Sequence, residues 1–230
     1  MSSVTYKLIL GPIFRFRFQF MLVTLFMYIV LVPFIKDYVR IRNLLDIFFV
    51  FILISSVYAV SEKTRNTVIA FILVAPLLFF DWIGPVLQVP NADIVGAVLG
   101  ILFLGFVLFS ILSFIFNQDI ITQEVISASV SVYLLLGIAW AMIYGLLEKI
   151  HPGSFHFSDA LAENTKMIFS YYSFVTLTTL GYGDISPLTD KAATLSVVEA
   201  IIGQLYLTVL IARLIGLHIS QSTRHRGKED

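Results

Sequence analysis

Apolar residues along the chain gather into six stretches, 19–35, 44–60, 67–87, 94–116, 125–147 and 192–217, separated by polar links. Each is close to the roughly 20 residues a helix needs to cross the hydrocarbon of a bilayer, so each predicts a spanning helix. Links 61–66 and 117–124 are short, and consecutive helices there are expected to be antiparallel neighbours. Link 148–191 is long, and inside it residues 166–177 form a further apolar and aromatic segment. At about 12 residues that segment is too short to cross alone and is expected to dip in and return. The expected fold class is therefore an all-α membrane protein with six transmembrane helices, and with a re-entrant helix and loop between helices five and six.

Composition strengthens this picture and removes most others. The chain is 58% apolar and 13% charged, against about 45–50% and about 25% in an average soluble domain. Fifteen Lys+Arg balance fifteen Asp+Glu, so no charge surplus points to nucleic acid. Cysteine is absent, which excludes disulfide scaffolds, thiolate metal sites and Cys nucleophiles. No His/Glu zinc spacing, phosphate-binding Gly loop or nucleophile elbow appears, and no enzyme or cofactor is expected.

The first stretch follows an 18-residue arm with Lys7, Arg15 and Arg17. No small-x-small cleavage site follows it, so it reads as a retained span rather than a secretory signal. The alternation Phe14-Arg15-Phe16-Arg17-Phe18 suits the headgroup boundary, with rings at the interface and guanidinium groups snorkelling to phosphate. Six spans place both termini on one side. Nine Lys/Arg then lie inside and six outside, a bias that puts the termini in the cytoplasm. The discordant piece is the link carrying Lys36, Arg40 and Arg42, with Asp37, Asp46, Asp81 and Asp93 as acids at a similar level.

The short re-entrant segment runs directly into Thr178-Thr179-Leu180-Gly181-Tyr182-Gly183-Asp184. Non-helical backbone at membrane depth is tolerated only where protein buries it or water fills a cavity. To pass a dehydrated cation, several successive backbone carbonyls must point the same way and replace its water shell. An ordinary strand alternates its carbonyls, but glycine at every second position permits the left-handed values such a run needs. Gly181 and Gly183 stand at that spacing, and Thr179 adds a hydroxyl.

Thr179-Leu180-Gly181-Tyr182-Gly183-Asp184 resembles the selectivity filter of tetrameric potassium channels, with Leu where Val is more usual. The likeness runs from about 125 to 217. Tyr171 and Tyr172 fall where many of these channels carry two Trp in an aromatic cuff. Gly203 falls at the hinge glycine of the inner helix, and Val175 stands where some relatives carry a Glu that bonds to the residue matching Asp184. The resemblance implies filter residues Thr179, Leu180, Gly181, Tyr182 and Gly183, supported by Tyr171, Tyr172 and Asp184. Potassium would be held by Thr179, Leu180, Gly181 and Tyr182, as a permeant ion and not a cofactor. It further implies that Gln204, Leu207, Ile211 and Ile215 line a cavity, and that the filter lies on the outer side. One filter strand cannot surround an ion, so a homotetramer in the cell membrane is expected, with lipid around it.

The implied organisation is a cytoplasmic arm at 1–18, a four-helix domain at 19–116 resembling a voltage-sensor domain, a pore domain at 117–217 and a cytoplasmic tail at 218–230. Stretch 94–116 contains no charged residue, so voltage sensing by charge movement there is not expected. Gly96 and Gly100 form a small-xxx-small pair, read as close helix packing. Thirteen residues follow Leu217, and no cytoplasmic ligand-binding domain is expected. Glu199 is about 140° from the Gln204 face at 100° per residue. It is a possible functional acid, either a neutral hydrogen-bonding group or a partner of Lys166. Arg213 points away from the cavity face and reads as a membrane anchor. His151 and His156 read as ordinary outer-loop residues. The function implied is passive, potassium-selective conduction. Its alternatives are a weakly selective cation channel, a non-conducting regulatory subunit or a coupled transporter.

Overall fold

The computed structural model describes residues 16–35, 44–61, 64–84, 86–157 and 165–226. In chain order the helices are α1 (Arg17–Ile35), α2 (Leu44–Val60), α3 (Thr64–Leu78), α4 (Ala92–Phe116), α5 (Gln123–Ile150), α6 (Thr165–Leu177) and α7 (Asp190–Arg226). Each of the six long apolar stretches thus contains a helix. Among the described residues four helices are long and apolar enough to cross a membrane: Thr64–Ile83, Ala92–Phe116, Gln123–Ile150 and Asp190–Ile219. The described apolar parts of α1 and α2, Arg17–Val30 and Phe49–Val60, are shorter. Lys36, Asp37, Arg40 and Arg42, and the side chain of Asp46, lie outside the described residues.

The chain divides into two compact units. The first comprises Met1–Val74 and Phe106–Leu134. Here α1 packs along α2, with Phe18, Met21, Leu25, Ile52 and Leu53 buried and Phe20, Val23, Phe26, Phe51 and Ile54 exposed. Apolar residues on every side of a helix are what a bilayer solvent permits. Arg17 departs from the snorkelling expected of it. It is 4% exposed and its Nε donates to Glu124 Oε1 at 3.1 Å. Its guanidinium carbon sits 4.7 Å from the Phe18 ring centroid and 5.1 Å from that of Phe114. A guanidinium is stable in such a place only with a counter-charge, and Glu124 in the first turn of α5 supplies one. Phe16 and Phe18 consequently face opposite ways, one exposed and one buried.

The second unit comprises Ala75–Gly105 and Leu135–Asp230. Helix α3 continues here past Pro76 into a π-turn, Phe79–Ile83, closed by the Gly84 amide donating to the Phe79 carbonyl at 2.9 Å. Gly96 and Gly100 of α4 are buried, as expected of a packing pair. A Cβ at 96 would lie 3.7 Å from the Asp81 amide, and one at 100 would collide with Met142 and crowd Leu77. Asp93 pairs with Lys149 at 3.2 Å, both exposed.

A two-stranded antiparallel ribbon completes this unit. Strand β1 (Phe155–His156) pairs with β2 (Ser186–Pro187), with Phe155 opposite Pro187 and His156 opposite Ser186. It joins the loop after α5 to the loop before α7. The Glu148 carboxylate sets the β1 end by accepting from the Gly153 and Ser154 amides at 2.7 and 2.9 Å. Leu188 then donates its amide to the Ser154 carbonyl at 2.8 Å.

Candidate functional site

Helix α6 is 13 residues long, MIFSYYSFVTL preceded by Thr165-Lys166, and contains neither Gly nor Pro. It ends because the backbone changes hand. Thr179 has φ +59°, Gly181 +60° and Gly183 +77°. Leu180 and Tyr182 between them are not in that region. Positive φ therefore recurs at every second position, the alternation that can turn a strand's opposed carbonyls toward one side. Glycine takes these values without strain, whereas a β-branched threonine takes them at a cost of about 1–3 kcal/mol. The sequence pointed to the two glycines but carried no sign that Thr179 would join them. The Leu180 and Gly181 amides both donate to the Val175 carbonyl, at 2.9 and 3.3 Å, tying the start of the loop to the last turn of α6. Residues 178–184 are otherwise exposed, including the large side chains of Leu180 and Tyr182.

The family model described as ion channel matches residues 130–218. This stretch, under half of the chain, is similar to ion-channel domains. No curated protein and no solved structure matches the chain.

Within the matched stretch the two adjacent tyrosines divide their work. The Tyr171 hydroxyl donates to Asp184 Oδ2 at 2.7 Å, bridging α6 to the residue just after the loop. Its bond to the Asp184 carboxylate, with a smaller contribution from burial, pushes the phenol up to about 12, so the donor keeps its proton through the neutral range. Asp184 Oδ1 accepts from the Ile185 amide at 3.1 Å. Tyr172 turns inward instead and shares a 2.7 Å hydroxyl bond with Ser196 of α7. Its ring lies 5.0 Å from that of Tyr144 and 5.4 Å from that of Phe155. Edge-on packing of Phe155 on Phe169, centroids 5.1 Å apart, extends the cluster to β1. The ribbon and α6 are thus fixed to one aromatic core with Trp140 and Tyr144 of α5.

Glu199, in the N-terminal third of α7, has no exposed surface. Its Oε2 accepts from the Tyr144 hydroxyl and its Oε1 meets the Ser173 hydroxyl, each at 2.5 Å. Ser173 Oγ also lies 2.7 Å from the Gly137 carbonyl oxygen. Of the two partners open to Glu199 in the sequence, hydroxyls occupy both oxygens, and the Lys166 side chain lies outside the described residues. Val175 is buried on α6 and bears no acid, so the acid behind the loop comes from α7. Sequence reasoning missed Tyr144 and Ser173. The available signal was a polar group on an otherwise apolar segment, which in a membrane seeks a partner.

Gly203 is buried where α7 passes the end of α6. A Cβ there would stand 2.5 Å from the Leu177 carbonyl oxygen and 2.9 Å from its Cδ1. Close approach is therefore a reason for glycine that the hinge expectation did not contain. Further along α7, Gln204, Ile211 and Ile215 are exposed, while Leu207 and Arg213 are half-buried. Only 11% of the spanning window of this helix is buried, so a long apolar face is left for lipid or other chains. In the loop after α5 His151 Nε2 lies 3.1 Å from Lys191 Nζ, and His156 is exposed on β1.

Proposed function

We propose that the protein conducts potassium passively through a homotetrameric pore. Each chain contributes one strand of carbonyls from Thr179, Leu180, Gly181 and Tyr182, together with the Thr179 hydroxyl. The observation that carries this reading is positive φ at positions 179, 181 and 183 within Thr-Leu-Gly-Tyr-Gly-Asp, on the end of a helix too short to cross a bilayer. Support comes from the ion-channel match and from the exposed loop and α7 face, which other copies would cover. Six spans, with both termini in the cytoplasm and the filter outside, accord with the hydropathy and with the Lys/Arg bias. The absence of charge from stretch 94–116 argues against gating by charge movement in that helix.

Reconstitution in planar bilayers tests the reading. The reversal potential is expected to follow the potassium gradient and to be indifferent to sodium. A potential that follows sodium as closely as potassium would make the pore a weakly selective cation channel. Gly181→Ala places a side chain at φ +60° and is expected to abolish conduction while leaving assembly intact, as read by cross-linking.

A further inference from the structure

The Glu199 cluster contains one fewer hydrogen than its contacts require. Tyr144 brings one hydroxyl proton, and it points to Glu199 Oε2. Ser173 brings one more, yet its oxygen faces two acceptors, the Gly137 carbonyl at 2.7 Å and Glu199 Oε1 at 2.5 Å. A hydroxyl can donate only once. If the carboxyl were ionised, one of these two close oxygen pairs would have no proton between its members. A proton on Oε1 closes the count: Glu199 donates to Ser173, Ser173 donates to Gly137, and Tyr144 donates to Oε2. Glu199 forms no ion pair among the described residues, and Trp140, Ala141, Tyr144 and Tyr172 nearby are all buried.

We propose that Glu199 is held as a protonated carboxyl and acts as a positioning residue. Through it α7 fastens to Tyr144 and Gly137 of α5 and to Ser173 of α6, the helix that carries the 178–184 loop. Movement of α7 then reaches the loop through hydrogen bonds in addition to packing at Gly203. What is positioned rests on the proposed channel function; the protonated bridge itself does not.

Two measurements on the full-length protein in lipid test the idea separately. Infrared difference spectroscopy between wild type and Glu199→Gln is expected to show loss of a protonated-carboxyl carbonyl stretch, and its absence from the difference would overturn the protonated bridge. Gln offers the same donor and acceptor, so single-channel open dwell time and the potassium-to-sodium permeability ratio should stay within about twofold, whereas Glu199→Leu should change one of them by about three- to tenfold, the worth of one or two hydrogen bonds. Should Glu199→Leu not assemble, Ser173→Ala and Tyr144→Phe remove one bond each and should show the same change in smaller degree. Equal damage from Gln and Leu, or wild-type behaviour from all the apolar variants, would overturn the positioning role. A wild type that passes no current would sink the channel reading, and the infrared band would still decide whether the acid carries its proton.

Discussion

The two units each bury an ionisable side chain, Arg17 in the first and Glu199 in the second, and they satisfy it by opposite chemistry. In the first, Glu124 meets the Arg17 guanidinium, itself sandwiched near the Phe18 and Phe114 rings. In the second, Glu199 meets only hydroxyls among the described residues. An ion pair away from water is all-or-nothing, because losing one partner strands the other's charge. A set of hydroxyl bonds degrades in steps of about 1 kcal/mol. The first arrangement suits a fixed joint, and the second suits a joint that has to adjust.

That contrast can be broken by mutation, the largest effect coming first. Arg17→Ala should destabilise the protein by about 3 kcal/mol, the low end for breaking a buried pair because Glu124 keeps some exposure. Adding Glu124→Leu to Arg17→Met should recover most of the loss. Thermal unfolding of the purified protein in lipid reads both, and a single variant as stable as the double one would refute the ion-pair account. Gly203→Ala should cost about 2 kcal/mol by overpacking against the Leu177 backbone, which cannot swing aside as a side chain would. Tyr144→Phe should cost about 1 kcal/mol, since the ring still packs and only the bond to Glu199 is lost. A cost near that of Arg17→Ala would mean that Glu199 behaves as an unpaired charge after all. Lys149→Ala removes an exposed pair with Asp93 and should shift stability by less than about 0.5 kcal/mol.

Much of the helical plan was legible in the sequence because hydropathy is a one-dimensional signal, and a run of apolar residues declares its helix without reference to anything distant. The apolar segment at 166–177 and the glycine spacing at 181 and 183 were legible for the same reason. Pairings across the chain were not. Tyr144 lies 55 residues from Glu199, and Ser173 lies 26 residues from it; helical phase placed the acid off the Gln204 face but did not name what it would meet. Arg17 misled because an arginine at the edge of an apolar run has two acceptable fates, outward to phosphate or inward to a carboxylate. Only the position of Glu124, 107 residues on, decides between them. The β1–β2 ribbon was hidden as well, being two residues per strand and held in part by a carboxylate on α5.

Thr179 holds a further lesson. A β-branched residue kept in left-handed backbone is a loaded spring, and the amide bonds that tie this loop to the last turn of α6 set its tension. When their grip slackens, this peptide gains most by flipping back. Such a loop can therefore change shape at one peptide with no helix moving.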